Sequence, residues 1–94
     1  MLILRYIDLD LIHAKRFEFT EPYADLISAE LRPNDWLRVH ATLDLDFDSE
    51  MDQSFKTVIL VLKTGEKLPH AANHLQSLGE FHIFWYQDFG GFIV

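Results

Sequence analysis

The stretch Leu37-Arg38-Val39-His40-Ala41-Thr42-Leu43-Asp44-Leu45-Asp46-Phe47-Asp48 alternates apolar and polar residues over twelve positions. A period of two places alternate side chains on opposite faces of an extended strand. Leu37, Val39, Ala41, Leu43, Leu45 and Phe47 are therefore expected in a core, and Arg38, His40, Thr42, Asp44, Asp46 and Asp48 in water. Antiparallel sheets permit such a wet face, whereas all-parallel sheets seldom do.

Working outward, Val58 to Leu62 is continuously apolar and rich in β-branched residues. This predicts a central strand covered on both faces and closed by the turn Thr64-Gly65-Glu66. Pro69 then opens an expected short helix with Ala71, Leu75 and Leu78 as its stripe and Gly79 as a left-handed C-cap. A last strand follows over Phe81 to Tyr86, with Phe81, Ile83 and Trp85 on one face and Phe84 and Tyr86 on the other. Gly90-Gly91 reads as a turn. Upstream, Thr20 caps an expected helix with Glu21 and Pro22 in its first turn, Tyr23, Leu26, Ile27 and Leu31 on one stripe, and Pro33 as its stop. Residues 2 to 19 read as extended. Strand length favours a hairpin there over one bent strand, although no Asn-Gly or Asp-Gly turn lies near residue 13. The resulting order, ββαββαβ, predicts an α+β fold: a mostly antiparallel sheet of about five strands with two short helices, in one domain over 1–94.

The chain has 94 residues, 49% of them hydrophobic, which suffices for one core. Cysteine is absent, so neither disulfides nor a thiolate zinc site can staple it. The apolar start Met1 to Leu4 is interrupted by Arg5, Asp8 and Asp10, so no signal core or membrane span is expected and a cytoplasmic location is. A net charge of −7 opposes attraction to phosphate backbones, which argues against direct nucleic-acid binding.

The acidic row Asp44, Asp46, Asp48 continues into Glu50 and Asp52, with Asp8 and Asp10 as possible flanks. Strand spacing of about 6.6 to 6.8 Å makes neighbouring charges repel by only roughly 0.6 kcal/mol in water, so a solvated face needs no functional reason. The functional reading is docking onto a basic, even nucleic-acid-binding, surface of a partner protein. As a phosphate mimic, one such row is about half as dense as a DNA strand. Asp44-x-Asp46-x-Asp48 resembles the opening of a calcium loop, but Ser49 replaces the required glycine and Phe55 the closing glutamate. His70 and His74 would share a helix face, as metal-binding pairs do, yet no closed ligand set is visible. Ser28, Ser49, Ser54 and Ser77 lack a nucleophile-elbow context.

The aromatic residues Phe84, Trp85 and Tyr86 mark either a packed central strand or an interface. In size and charge the chain is like small immunity proteins, antitoxins and phage-encoded inhibitors, without any motif to carry that likeness. The expectation is a non-enzymatic binding protein, without cofactor or metal, that covers a basic surface of a protein partner and does not act at a membrane. The alternative is an assembly module that forms a homodimer through the aromatic C-terminal strand. A carboxylate-metal enzyme is the third reading.

Overall fold

A computed structural model of the chain describes residues 1–46, 55–68 and 72–89. They form seven strands: β1 (Leu2–Asp10), β2 (Arg16–Phe19), β3 (Tyr23–Arg32), β4 (Trp36–Asp44), β5 (Phe55–Lys63), β6 (Asn73–Leu78) and β7 (Phe81–Phe89). Pairing is antiparallel throughout, in a three-stranded sheet β1-β4-β3 and a four-stranded sheet β2-β5-β7-β6. One core joins them, built from Ile7, Leu9, Leu26, Leu37, Val39 and Ala41 of the first sheet and Ile59, Val61 and Ile83 of the second. The fold is a β-sandwich, and no helix occurs among the described residues. The α+β expectation is thereby overturned.

The alternation that begins at Leu37 holds as far as it extends as a strand: Leu37, Val39, Ala41 and Leu43 are buried in β4. It ends at Asp44, whose Oδ1 accepts the Asp46 N–H at 3.0 Å. This side-chain turn bends the chain away, so Leu45, expected in the core, stands 48% exposed. Val58 to Val61 are buried in β5, which lies between β2 and β7 as a central strand should. Glu66 N–H donates to the Lys63 carbonyl at 3.0 Å with Gly65 at φ 96°, the form of a type II turn.

Where they are described, both expected helices are bulged strands; Pro69 and Ala71 lie outside the described residues. In β3 the register slips between Tyr23 and Asp25 and again between Leu26 and Ser28. Each slip inserts one extra residue, so the inward positions Tyr23, Leu26 and Ala29 fall three apart instead of two. That spacing imitates one turn of a helix. Pro22 opens the strand with a tight turn, Tyr23 N–H donating to the Glu21 carbonyl at 2.8 Å. Pro33 ends it in the hairpin loop Pro33-Asn34-Asp35, where Asn34 and Asp35 take φ 64° and 60°. β6 likewise slips between His74 and Gln76, and Leu75 and Leu78 pack against the core with a helical spacing. Gly79, at φ 61°, is the first of two turn residues joining β6 to β7, as a type II′ hairpin needs, and caps no helix. The expected hairpin over residues 2 to 19 is also absent. β1 pairs with β4 in one sheet and β2 with β5 in the other, so the chain crosses the sandwich between them.

Two glutamines tie the four-stranded sheet to β3. Gln76 Oε1 accepts the Ala29 N–H at 2.8 Å, and Gln87 Nε2 donates to the Tyr23 carbonyl at 2.8 Å. Both bonds fall beside the bulges, where the edge of β3 would otherwise leave backbone groups unpaired.

Candidate functional site

Strand register sets out the outer face of the three-stranded sheet in rows. Asp10 faces Trp36 and Arg32 across it, Asp8 faces Arg38 and Glu30, and Tyr6 faces His40 and Ser28. Leu4 faces Thr42 and Asp25, and Leu2 faces Asp44. Arg38 grips Asp8 with a fork, Nε to Oδ1 at 2.8 Å and Nη2 to Oδ2 at 3.1 Å, and its guanidinium lies 4.1 Å over the Tyr6 ring. The Arg38 hydrogen bond holds the Asp8 carboxyl below its usual range and raises the Arg38 guanidinium. His40 meets the Tyr6 ring edge-on at 6.5 Å, and its Nε2 lies 3.6 Å from Glu30 Oε1.

Beside this clip an open groove of about 440 Å³ is lined by Leu4, Arg5, Tyr6, Ile27, Ser28 and His40. Leu4 is 77% exposed, Tyr6 58% and Ile27 51%. Ile27 lies at the second β3 bulge, which adds an apolar side chain to a face that strict alternation would leave polar. Around the groove stand five carboxylates, Asp8, Asp10, Asp25, Glu30 and Asp44, against three guanidinium groups, Arg5 of the groove wall itself, Arg32 and Arg38. The groove is not legible in the sequence because it needs β1 paired to β4 across the intervening β2 and β3, and a bulge that turns Ile27 outward. The only local signal is the apolar alternation of Leu2, Leu4 and Tyr6 with the core-facing Ile3 and Ile7.

The acidic residues singled out from sequence do not form one cluster. Asp44 ends β4 and Asp46 sits in the turn after it, both near the Met1 amino group. Asp48, Glu50 and Asp52 lie outside the described residues. Asp8 and Asp10 do share the outer face with Asp44, but the register puts Leu2 opposite Asp44, so Asp8 is six residues, about 20 Å, farther along. Asp10 is occupied locally: its Oδ1 accepts the Ile12 N–H at 2.9 Å and its Oδ2 lies 2.6 Å from His13 Nδ1. Those two bonds, the backbone one first, lower its carboxyl.

β7 is hydrogen-bonded to β5 along its whole length and to β6 from Phe81 to Trp85, so over that span its backbone is paired on both sides. Trp85 packs against the core, while Phe84 meets the His74 ring at 5.2 Å and Tyr86 OH accepts from Arg16 Nη2 at 3.1 Å. His70 lies outside the described residues. His74 is on a strand and contacts Ser77, not a second histidine on a helix face. Among the described residues no three His, Asp or Glu side chains are grouped to hold a metal, and no helix is long and apolar enough to cross a membrane. No family model, curated protein or solved structure matches the chain.

Proposed function

We propose that the chain is a small non-enzymatic protein-binding module, of the inhibitor or immunity kind, that covers a basic surface of a partner protein with the outer face of its three-stranded sheet. The support is the groove with its exposed Leu4, Tyr6 and Ile27, set among five carboxylates and three guanidinium groups. An apolar centre with a charged rim is the anatomy of a docking surface: the centre holds the partner and the rim steers it. The net charge of −7 selects a cationic partner.

The test uses a partner recovered from the native host on the immobilised chain at low salt. Tyr6→Ser combined with Ile27→Ser should weaken binding at least about 30-fold, chiefly through faster dissociation, with the fold intact. Asp25→Lys with Asp44→Lys should slow association and flatten its dependence on salt. A partner that binds the Tyr6/Ile27 variant as tightly as the original chain overturns the choice of face. Self-association is the second reading, favoured by β1: nine residues long, it is hydrogen-bonded on one side only within the described fold. Sedimentation equilibrium separates the two, because a module reserved for another protein stays monomeric.

A further inference from the structure

The β6–β7 hairpin carries a chain of side-chain contacts on the outer face of the four-stranded sheet. His74 Nε2 lies 2.9 Å from Ser77 Oγ, Ser77 Oγ lies 2.8 Å from His82 Nδ1, and His82 Nε2 lies 2.8 Å from Thr64 Oγ1. Thr64 Oγ1 in turn faces the Glu80 carbonyl at 3.5 Å. Both His82 ring nitrogens are thus engaged, Nε2 by Thr64 Oγ1 and Nδ1 by Ser77 Oγ. His74 Nε2 is aimed at the same oxygen.

Two imidazole nitrogens on adjacent strands therefore converge on one small hydroxyl. Ser77 is exposed, so its hydroxyl can swing away by rotation about a single bond. The far ring nitrogen of His82 is already engaged by Thr64 Oγ1, the kind of second contact that orients metal-ligating histidines. An ion bonded to nitrogen at about 2.0–2.1 Å needs each ring to advance by roughly 1 Å toward the place the hydroxyl now fills. The two-residue turn at Gly79-Glu80 keeps the two strands paired beneath the rings.

We propose that His74 and His82 form a two-histidine site for a divalent transition cation of the zinc and copper class, with water or the Ser77 hydroxyl completing its shell. Imidazole suits these ions, whereas Mg²⁺ and Ca²⁺ prefer oxygen ligands. With two nitrogen ligands the ion keeps open positions and exchanges readily, so the site is an accessory to the fold and not its staple. It lies on the opposite sheet from the docking face and does not rest on the binding reading.

Titration of the full chain with ZnCl₂, followed through the ring signals of its five histidines by NMR, tests this. His74 and His82 should shift together and saturate at one ion per chain, and MgCl₂ should move neither. His74→Gln and His82→Gln should each weaken Zn²⁺ binding at least about tenfold, while Ser77→Ala keeps it within about threefold. Rings that stay unmoved, that move no more than those of His13 and His40, or a His82→Gln chain that binds Zn²⁺ like the original would overturn the site. The titration of the unmodified chain decides the matter even if a variant fails to fold.

Discussion

On the outer face of the four-stranded sheet Val58 is 0% and Leu60 4% exposed, whereas on the corresponding face of the three-stranded sheet Leu4 and Tyr6 are mostly in solvent. Register explains part of the contrast. Val58 sits between Glu18 and Tyr86, and Leu60 between Arg16 and Phe84, so long side chains flank β5 on both sides. Arg16 donates to Tyr86 OH across β5 and pairs with Glu18 at 2.8 Å, which pins that cover down. The centre of the other sheet has Arg38, His40 and Thr42, of which Arg38 lies over the Tyr6 ring and His40 meets its edge, leaving Leu4 uncovered. Position explains the rest, since β5 is a central strand and β1 an edge strand, and the proposed docking face rests on the apolar residues this leaves open.

The largest expected effects test that contrast. Leu60→Ala should cost about 2–5 kcal/mol in denaturant unfolding, since it opens a cavity under packed neighbours, while Leu4→Ala should cost less than about 0.5 kcal/mol. Equal costs would mean that Leu4 is covered in solution and that the open face is not open. Leu45→Ala should also stay below about 0.5 kcal/mol, against the sequence expectation of a core residue.

Next in size are the glutamines that close the sandwich at β3. Gln76→Ala leaves the buried Ala29 N–H without its acceptor and should cost about 1–3 kcal/mol. Gln87→Ala should cost less, about 0.5–1.5 kcal/mol, because the Tyr23 carbonyl loses one donor and no buried N–H is stranded. The reverse order would place the tie between the sheets at Gln87 instead.

The strands that were legible in sequence are those with an undisturbed period. β4 alternates and folds as read up to Asp44, short of the exposed Leu45, and β5 is a β-branched run that reads as it folds. β3 and β6 were misread for one shared reason: both are bulged, and a bulge turns a period of two into a local spacing of three. Tyr23, Leu26 and Ala29, like Leu75 and Leu78, then fit a helix as well as a strand. The overlooked signal was Pro33-Asn34-Asp35, three turn formers that fit a hairpin better than a helix end. At the candidate site, the charges were visible but their neighbours were not. Asp8 appears in sequence beside Asp10, as if in one acidic row, and only long-range pairing sets Arg38 against it.

The smallest expected effect concerns that Asp8–Arg38 clip, which braces one side of the open face. Asp8 and Asp10 have folded-state values below the ordinary 3.8, Asp8 chiefly through the Arg38 hydrogen bond and Asp10 through the Ile12 N–H. Glu66 is lowered in the same direction by the Lys63 N–H and then Lys15. A depressed carboxylate stabilises the fold above its unfolded value, and that contribution is lost as pH falls through the folded value. Urea midpoints should therefore hold from neutral pH down to about pH 4 and fall below it. Asp8→Asn removes one of the three groups and should make that acid limb shallower, while lowering the midpoint slightly at pH 7. Because these groups are exposed, the difference should shrink at high salt. An Asp8→Asn chain whose acid limb matches the original at low salt would show that the clip is too weakly populated to brace Tyr6, and the order of the open face would then rest on backbone pairing alone.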